Sequence, residues 1–544
     1  MTEVQVYRYR AGGVITVYLS LVILLFVSVI LVCMESARVA VLQTSAERYA
    51  DMAAEMTFSA YVRPLARRYG IFVLDPGEGG RVEDIFEDCL KLNLLENKEN
   101  TGRPFALYGQ DADVRLLSSS KLKDNKWDAL YEQIRRSELY ALGEDGLGGM
   151  LSFLRTGELS EAGKLNEKVQ DTVKEKEEAA KEEKKSAEEE KKEKEQEETA
   201  KDKKEQEVKE QEEEKKEEGT DPRPGITRWL KSGLLELVMG DAAVSSRTIS
   251  LSGCSYKTGK SRGLSMVRDF GSSRSLQKSL GNSSLEKMMD EEDDAADAES
   301  LTSDHAGKKS RQMLLNLYIL DKFTSLTEGV KEGGDHVLKY EVEYILYGSR
   351  SDRVNLENTI MSLCALRTAL NLAWLYTDGG KTAQVSRAVS SFAASALPVA
   401  GELIALLVMA CWAGAEAVVD CSALVDGKKI PIWKSDASWQ LSFSALTNLA
   451  SEGGSPGSFA KGSSHGLTYN QYLLLLLISR ASTKKVIRML QLMEKNVQLE
   501  SGYEKFSLKR CLTGAVFGAK VSIAPRFFRH PSAVSADCRC AYAY

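Results

Sequence analysis

From Val14 to Met34 the chain reads VITVYLSLVILLFVSVILVCM, without one charged residue. About 20 apolar residues at 1.5 Å rise span roughly 30 Å, the hydrocarbon thickness of a bilayer. The run exceeds the apolar core of a signal peptide, and no good small-residue cleavage site follows it. Cutting after Ala37 would put Glu35 three residues before the cut, and cutting after Ala40 would put Arg38 there. The expectation is therefore an uncleaved transmembrane helix over 14–34. Arg8 and Arg10 precede it, and Glu35 and Arg38 follow. The positive-inside rule then places residues 1–13 in the cytoplasm and the bulk of the chain outside, in the cell envelope. A second apolar stretch, Leu403 to Ala413, is hemmed in by Glu402, Glu416 and Asp420, and Leu473 to Ile478 is shorter still. Both suit buried core helices, so one span is expected.

Composition removes several function classes. The net charge of -6 over 544 residues is not that of a nucleic-acid-binding chain, so no nucleic-acid partner is expected. Four scattered histidines argue against a metal enzyme. Nine cysteines cannot all be paired with one another.

Beyond the span, Glu35 to Tyr69 reads as one long helix leaving the membrane, limited by Pro64 and capped at Gly70. Val39, Leu42, Ala46, Tyr49, Ala53, Met56 and Ala60 recur at alternating spacings of three and four. That is a candidate heptad seam of mostly small residues, either packed on its own domain or set against other subunits. Glu35 and Arg38, three apart on one helix face, form a candidate pair at the membrane exit. Ile71 to Leu74 is strand-like and ends at the turn Asp75-Pro76-Gly77. These features make a stalk helix and small α+β region over 35–160. Residues 161–221 are dominated by Glu and Lys, with pairs such as Glu177–Lys181 and Glu188–Lys192 four apart. They read as a solvated charged helix, with a disordered linker as the alternative. Residues 222–310 hold a short apolar island, Gly233 to Met239, and a Ser-rich loop with the acidic run Asp290 to Asp294.

The C-terminal region, 311–544, carries the best core. Met313 to Phe323 and Leu356 to Tyr376 have helical spacing, and Ser386 to Leu424 reads as helices broken near Pro398. Leu338 to Tyr344 alternates apolar and polar residues, which predicts a half-buried strand with Glu341 and Glu343 on its solvated face. Thr468 and Gln471 are a capping box opening a helix to about Met493. Phe506 to Ile523, with Gly514 and Gly518, reads as two strands and a turn. The fold class expected is α+β, mostly helical.

No motif points to catalysis, a cofactor or a metal. Gly253 to Ser261 looks like a P-loop, but five residues separate Gly253 from Gly259 where the motif needs four, and Ser245 to Ser252 is too polar for the preceding strand. Cys538-Arg-Cys540 lacks a second ligand pair. Cys411 and Cys421 are candidates for a bridge that sequence cannot decide. The acidic run lacks the glycine and terminal glutamate of a calcium loop. A non-enzymatic role is expected.

Gly13-Val-Ile-Thr-Val-Tyr-Leu-Ser-Leu21, followed by Glu35-Ser-Ala-Arg38 and the Ala-rich helix, resembles the start of TadE/TadG-type envelope proteins of tight-adherence (Flp-type) pilus systems. Gly233–Val238, Tyr340–Gly348, Cys411–Val418 and Gly466–Leu473 resemble an uncharacterised clostridial family of anchored proteins linked with such systems. Processed pilins carry Glu five residues after the cleavage glycine; Tyr18 stands there after Gly13. The chain is thus more similar to unprocessed, TadG-like members. The resemblance implies a structural or assembly role in a Tad/Flp-type pilus or secretion system, with the lipid bilayer and other anchored envelope subunits as partners. The alternative is an extracytoplasmic scaffold or sensor unrelated to pili.

Overall fold

A computed structural model describes residues 3–95, 111–138, 221–231, 233–256, 305–329, 334–392, 398–452, 454–463, 465–523 and 534–544. The charged segment expected to be helix or linker, and the acidic run, lie outside these residues. The described chain is mostly helical with a small sheet, the α+β class expected. It divides into two compact units, one of residues 1–134 with 500–544 and the other of 135–499. The region expected to form a single C-terminal domain over 311–544 therefore divides at Glu500.

The first unit is organised by α1, a continuous helix of 57 residues from Glu3 to Ser59, about 86 Å long at 1.5 Å per residue. Its second half buries Ala46, Ala50, Ala53, Ala54, Thr57 and Phe58, a stripe with the 3.6-residue period of a straight helix. Small side chains there let α1 lie close against the three-stranded antiparallel sheet β1-β2-β3, made of Asp111–Ser120, Gly514–Ile523 and Val534–Ala543. The sheet's inner face, Phe517, Ala519, Val521, Ala536, Cys538 and Cys540, has the two-residue period of a strand and shares that core. Phe58 stacks on Tyr542 at 4.9 Å between centroids, and Phe86 of α3 (Val82–Leu95) stacks on Phe517 at 4.2 Å.

Three expectations are corrected here. The stalk helix does not reach Tyr69: α1 ends at Ser59, and a separate α2 runs from Arg63 to Tyr69 with Pro64 in its first turn and Gly70 as left-handed cap. Pro64 has no N–H to continue a helix but fits the start of one. Ile71 to Leu74 contributes a single bridge, Leu74 to Leu512. Phe506 to Ile523 supplies one strand, β2, paired on one side with the distant β1 and on the other with β3, the next strand along the chain. Those partners, DADVRLLSSS and VSADCRCAYA, carry too many Ser, Asp and Arg residues to read as strands alone.

In the second unit the central pair is α9 (Asp352–Thr377) and α11 (Pro398–Val425). From Val408 to Leu424 α11 is buried on nearly all sides, as an all-round apolar core helix should be. It is long and apolar enough to cross a membrane, but this burial makes it the core of the unit, as its length of clean apolar sequence suggested. Around the pair lie α5 (Arg223–Lys231), α6 (Leu234–Met239), α10 (Gly379–Phe392) and α12 (Phe443–Glu452). The remaining elements are α7 (His305–Lys322), α8 (Glu341–Tyr347), α13 (Tyr469–Ile478) and α14 (Ser482–Gln498), while a helix over 124–138, α4, runs across the division between the units.

The predicted strand at Leu338 to Tyr344 is instead the start of α8, and Glu341 and Glu343 are fully buried rather than solvated. Alternation misled because the polar positions also face inward, where they accept hydrogen bonds. The helix expected from Thr468 to Met493 is two helices. Its capping box forms as expected, with Thr468 N donating to Gln471 Oε1 at 2.8 Å. The chain then breaks at 479–481, where Ser479 Oγ bonds back to Leu476 O and Ala481 is extended.

Ala53 is fully buried against the sheet of its own unit. Ala53→Leu is expected to destabilise that unit by about 1–3 kcal/mol through overpacking, read as a lower denaturation midpoint in detergent. An unchanged midpoint would mean that this face of α1 is not packed.

Candidate functional site

Two kinds of feature stand out, an uncovered apolar helix and two buried polar networks. On α1, Ile15 to Val32 presents most of its large apolar side chains about half exposed or more, including Tyr18 at 69% and Leu24 at 69%, with Val22 and Leu31 partly covered. The two hydroxyls in this stretch are satisfied inside the helix, Ser20 Oγ on Val17 O and Ser28 Oγ on Leu25 O, each at 2.8 Å. Where the run ends, Arg38 Nη1 lies 3.4 Å from Glu35 Oε1. Of the seam, Ala46 and Ala53 are buried, Val39 and Tyr49 partly so, and Met56 and Ala60 exposed; the Leu42 side chain lies outside the described residues. The heptad reading drifts off the buried stripe because the helix is straight, and a 3.5-residue pattern slips against 3.6.

The first network joins α9 and α11. Arg367 and Asp420 are both fully buried and 2.9 Å apart. The guanidinium also donates to Pro431 O and Ile432 O, each at 2.9 Å, and to Asn371 Oδ1 at 2.8 Å. Lys434 reaches Asp420 at 2.6 Å and Glu416 at 2.7 Å. The Glu416 carboxylate accepts from the backbone N–H groups of Gln440 and Leu441 at 2.9 and 2.8 Å. Two cations face two anions. Burial works to raise the Asp420 carboxyl, but Arg367 and Lys434 hold it below its ordinary value. Burial prevails at Glu416 and pushes its carboxyl up against the pull of Lys434. Sequence reading took Glu416 and Asp420 as charges bounding an apolar run. The usable signal was their position within the helix itself, since a charge carried into a core must bring partners.

The second network is a face of α14. Lys485 Nζ donates to Leu477 O at 2.9 Å, and Arg488 Nη1 to Ile345 O and Leu346 O at 2.8 and 2.7 Å. Both thus serve the last carbonyls of other helices, α13 and α8, which have no partner within their own helix. Burial pushes the Lys485 amine down to about 7 and Arg488 to about 10. Further along, Tyr344 Oη donates to Gln491 Oε1 at 2.7 Å, and Asn496 Oδ1 accepts from Val337 N at 2.9 Å. Glu494 accepts from Ser255 N and Ser255 Oγ at 2.9 and 2.6 Å. That contact bears on the P-loop likeness: the Ser255 amide serves a carboxylate of this chain, and 257–261 lie outside the described residues.

Glu343 receives Leu326 N at 3.0 Å and Tyr469 Oη at 2.9 Å. Burial lifts its carboxyl to about 7 in spite of these donors. His336 Nδ1 stands 3.0 Å from Glu341 Oε1. Glu343 Oε2 and His336 Nε2 make no hydrogen bond among the described residues; the surface depressions at Asp221, Arg223 and Arg228 and at Tyr61, Phe72 and Tyr503 include none of these carboxylates. Among the described residues no three His, Cys, Asp or Glu side chains are grouped to hold a metal ion. Cys538 and Cys540 point into the sheet's core, where burial raises both thiols, Cys540 to about 12. Cys421 lies against Cys364 of α9, not against Cys411.

Fold and features together define a mostly helical α+β protein with an N-terminal apolar helix long enough to cross a membrane. Residues 210–523 match the family model described as a family of unknown function, DUF5702. The match covers more than half of the chain, which belongs to that family. No curated protein and no solved structure matches it.

Removing Arg367 would leave the buried Asp420 with Lys434 as its one cation and with only the neutral Asn371 amide on the α9 side. Arg367→Met is expected to cost about 3–5 kcal/mol, measured as the shift of a urea midpoint. A shift within error would show that the pair is dispensable. For Glu343 the folded carboxyl titrates near 7 against an ordinary 4.5. Its favourable contribution is complete below 4.5 and is lost as pH rises through about 7. Glu343→Gln keeps an acceptor for Leu326 N and Tyr469, so stability should fall less steeply between those pH values in the variant than in the parent. Parallel pH profiles would rule the assignment out.

Proposed function

We propose that this chain is a single-pass membrane protein, N-terminus in the cytoplasm, with a structural or assembly role in a Tad/Flp-type pilus or secretion system. The observation that carries the anchor is the uncharged half of α1, whose apolar side chains no other part of the described chain covers. Exposure of such a surface to water would be costly, at roughly 25 cal/mol per Å², and lipid removes the cost. Arg8 and Arg10 on one side of the run favour the cytoplasmic N-terminus. The pilus role is supported by the likeness of Gly13–Leu21 and Glu35–Arg38 to the start of TadE/TadG-type proteins. A non-catalytic role is supported by the use made of the ionisable groups in the two buried networks, which bind backbone and one another. Partners in this reading are the bilayer and other anchored subunits, with α1 beyond Glu35 as the element nearest both.

Protease added to intact, wall-stripped cells should remove epitopes in both compact units and spare an N-terminal tag. Protection of residues 500–544 would reverse the orientation. Deletion of the gene should abolish assembled Flp-type filaments while leaving the pilin in the membrane. Normal filaments would retire the pilus role and leave an anchored scaffold.

A further inference from the structure

Two thiols of the helical unit meet across the α9–α11 contact. Cys364 Sγ lies 3.1 Å from Cys421 Sγ, and both residues are buried. A bonded pair, at about 2.05 Å, needs the sulfurs to close by only about 1 Å. Cys421 adjoins Asp420, and Cys364 lies one turn before Arg367 on α9. The thiols therefore sit beside the ion pair that already fixes these two helices to each other. The other cysteines lie elsewhere: Cys411 near Arg223 and Asp221, Cys254 near Lys495 and Glu494, and Cys33, Cys89, Cys511, Cys538 and Cys540 in the other unit.

We propose that Cys364 and Cys421 are a disulfide-forming pair that joins α9 to α11 when the chain folds in an oxidising compartment. The proposal rests on the exported placement for its oxidant, a disulfide carried by a thiol oxidoreductase or by a small-molecule thiol. One cysteine thiolate attacks the donor disulfide, forming a mixed disulfide and releasing the first donor thiol. The second cysteine displaces the other donor sulfur, which leaves as the second thiol. Two cysteines are oxidised, one donor disulfide is reduced, and the two cysteine protons end on the donor thiols. In the closed fold burial, with Cys364 and Asp420 adding to it, holds the Cys421 thiol well above its ordinary value. Thiolate is the attacking form, so the bond forms while α9 and α11 dock.

The test uses the full chain in detergent, folded in a mixture of reduced and oxidised glutathione and checked for helix content. Alkylation and digestion without reductant should yield a linked peptide holding Cys364 and Cys421, and two fewer alkylatable thiols than after reduction. Cys421→Ser should return Cys364 to the alkylated pool. Finding both residues alkylated in the folded chain, or Cys421 joined to Cys411, would overturn the proposal. The same mapping on protein taken from its own membrane separates the two readings. A pair linked in glutathione but free in the cell keeps the pair and removes the exported placement.

Discussion

The Arg367 guanidinium lies at zero exposure and spends its donors on Asp420, Asn371, Tyr472 and the carbonyls of Pro431 and Ile432. The last two belong to a stretch between α11 and α12 that is neither helix nor strand apart from one bridge at Ile430. Buried irregular backbone has no ladder to satisfy its polar groups, and each unpaired group costs about 1–3 kcal/mol. The helical unit meets this demand with side chains. Glu416 takes the amides of Gln440 and Leu441, Lys434 takes Ser438 O, and Asp420 holds the two cations together. Pairing anion with cation is what makes such charges tolerable inside, because an isolated buried charge would be far more costly.

The face of α14 repeats the device at other places. Its lysine and arginine finish the C-termini of α13 and α8, and its glutamine, glutamate and asparagine bind the 252–256 and 337–341 segments. Gly348 shows how tight the fit is. It adopts φ 72° as the cap of α8, and a Cβ there would meet Arg488 Nε at 2.4 Å. The family match spans 210–523 and so contains both networks, while the apolar half of α1 lies outside it.

The other unit works by shape rather than charge. Alanines on α1 allow the helix to approach the sheet, and aromatic residues fill what remains, with Phe58 against Tyr542 and Tyr544. One helix thus has two surroundings. Before Arg38 its apolar side chains are largely uncovered by the rest of the described chain; from Ala46 its small side chains face a protein core. The pair Glu35–Arg38 stands between these regimes.

The sequence alone determined what depends on local pattern. The uncharged run of α1, the helices α7 and α9, the start of α11 at Pro398, the capping box at Thr468 and the Gly70 cap all follow from spacing and capping chemistry that neighbours along the chain dictate. Only the tertiary structure decided the rest. Glu341 and Glu343 read as solvated because alternation cannot reveal that both faces of a segment are enclosed. β1 and β3 carry little strand signal, and their pairing with β2 joins residues some 400 positions apart for β1, which no local window contains. The same holds for the site: Glu416 and Asp420 were visible as charges beside apolar residues, but Arg367 and Lys434 become their partners only when α9 and the 430–441 segment close on α11. Partners for buried charge are a property of packing, and packing is fixed by contacts that sequence separation conceals.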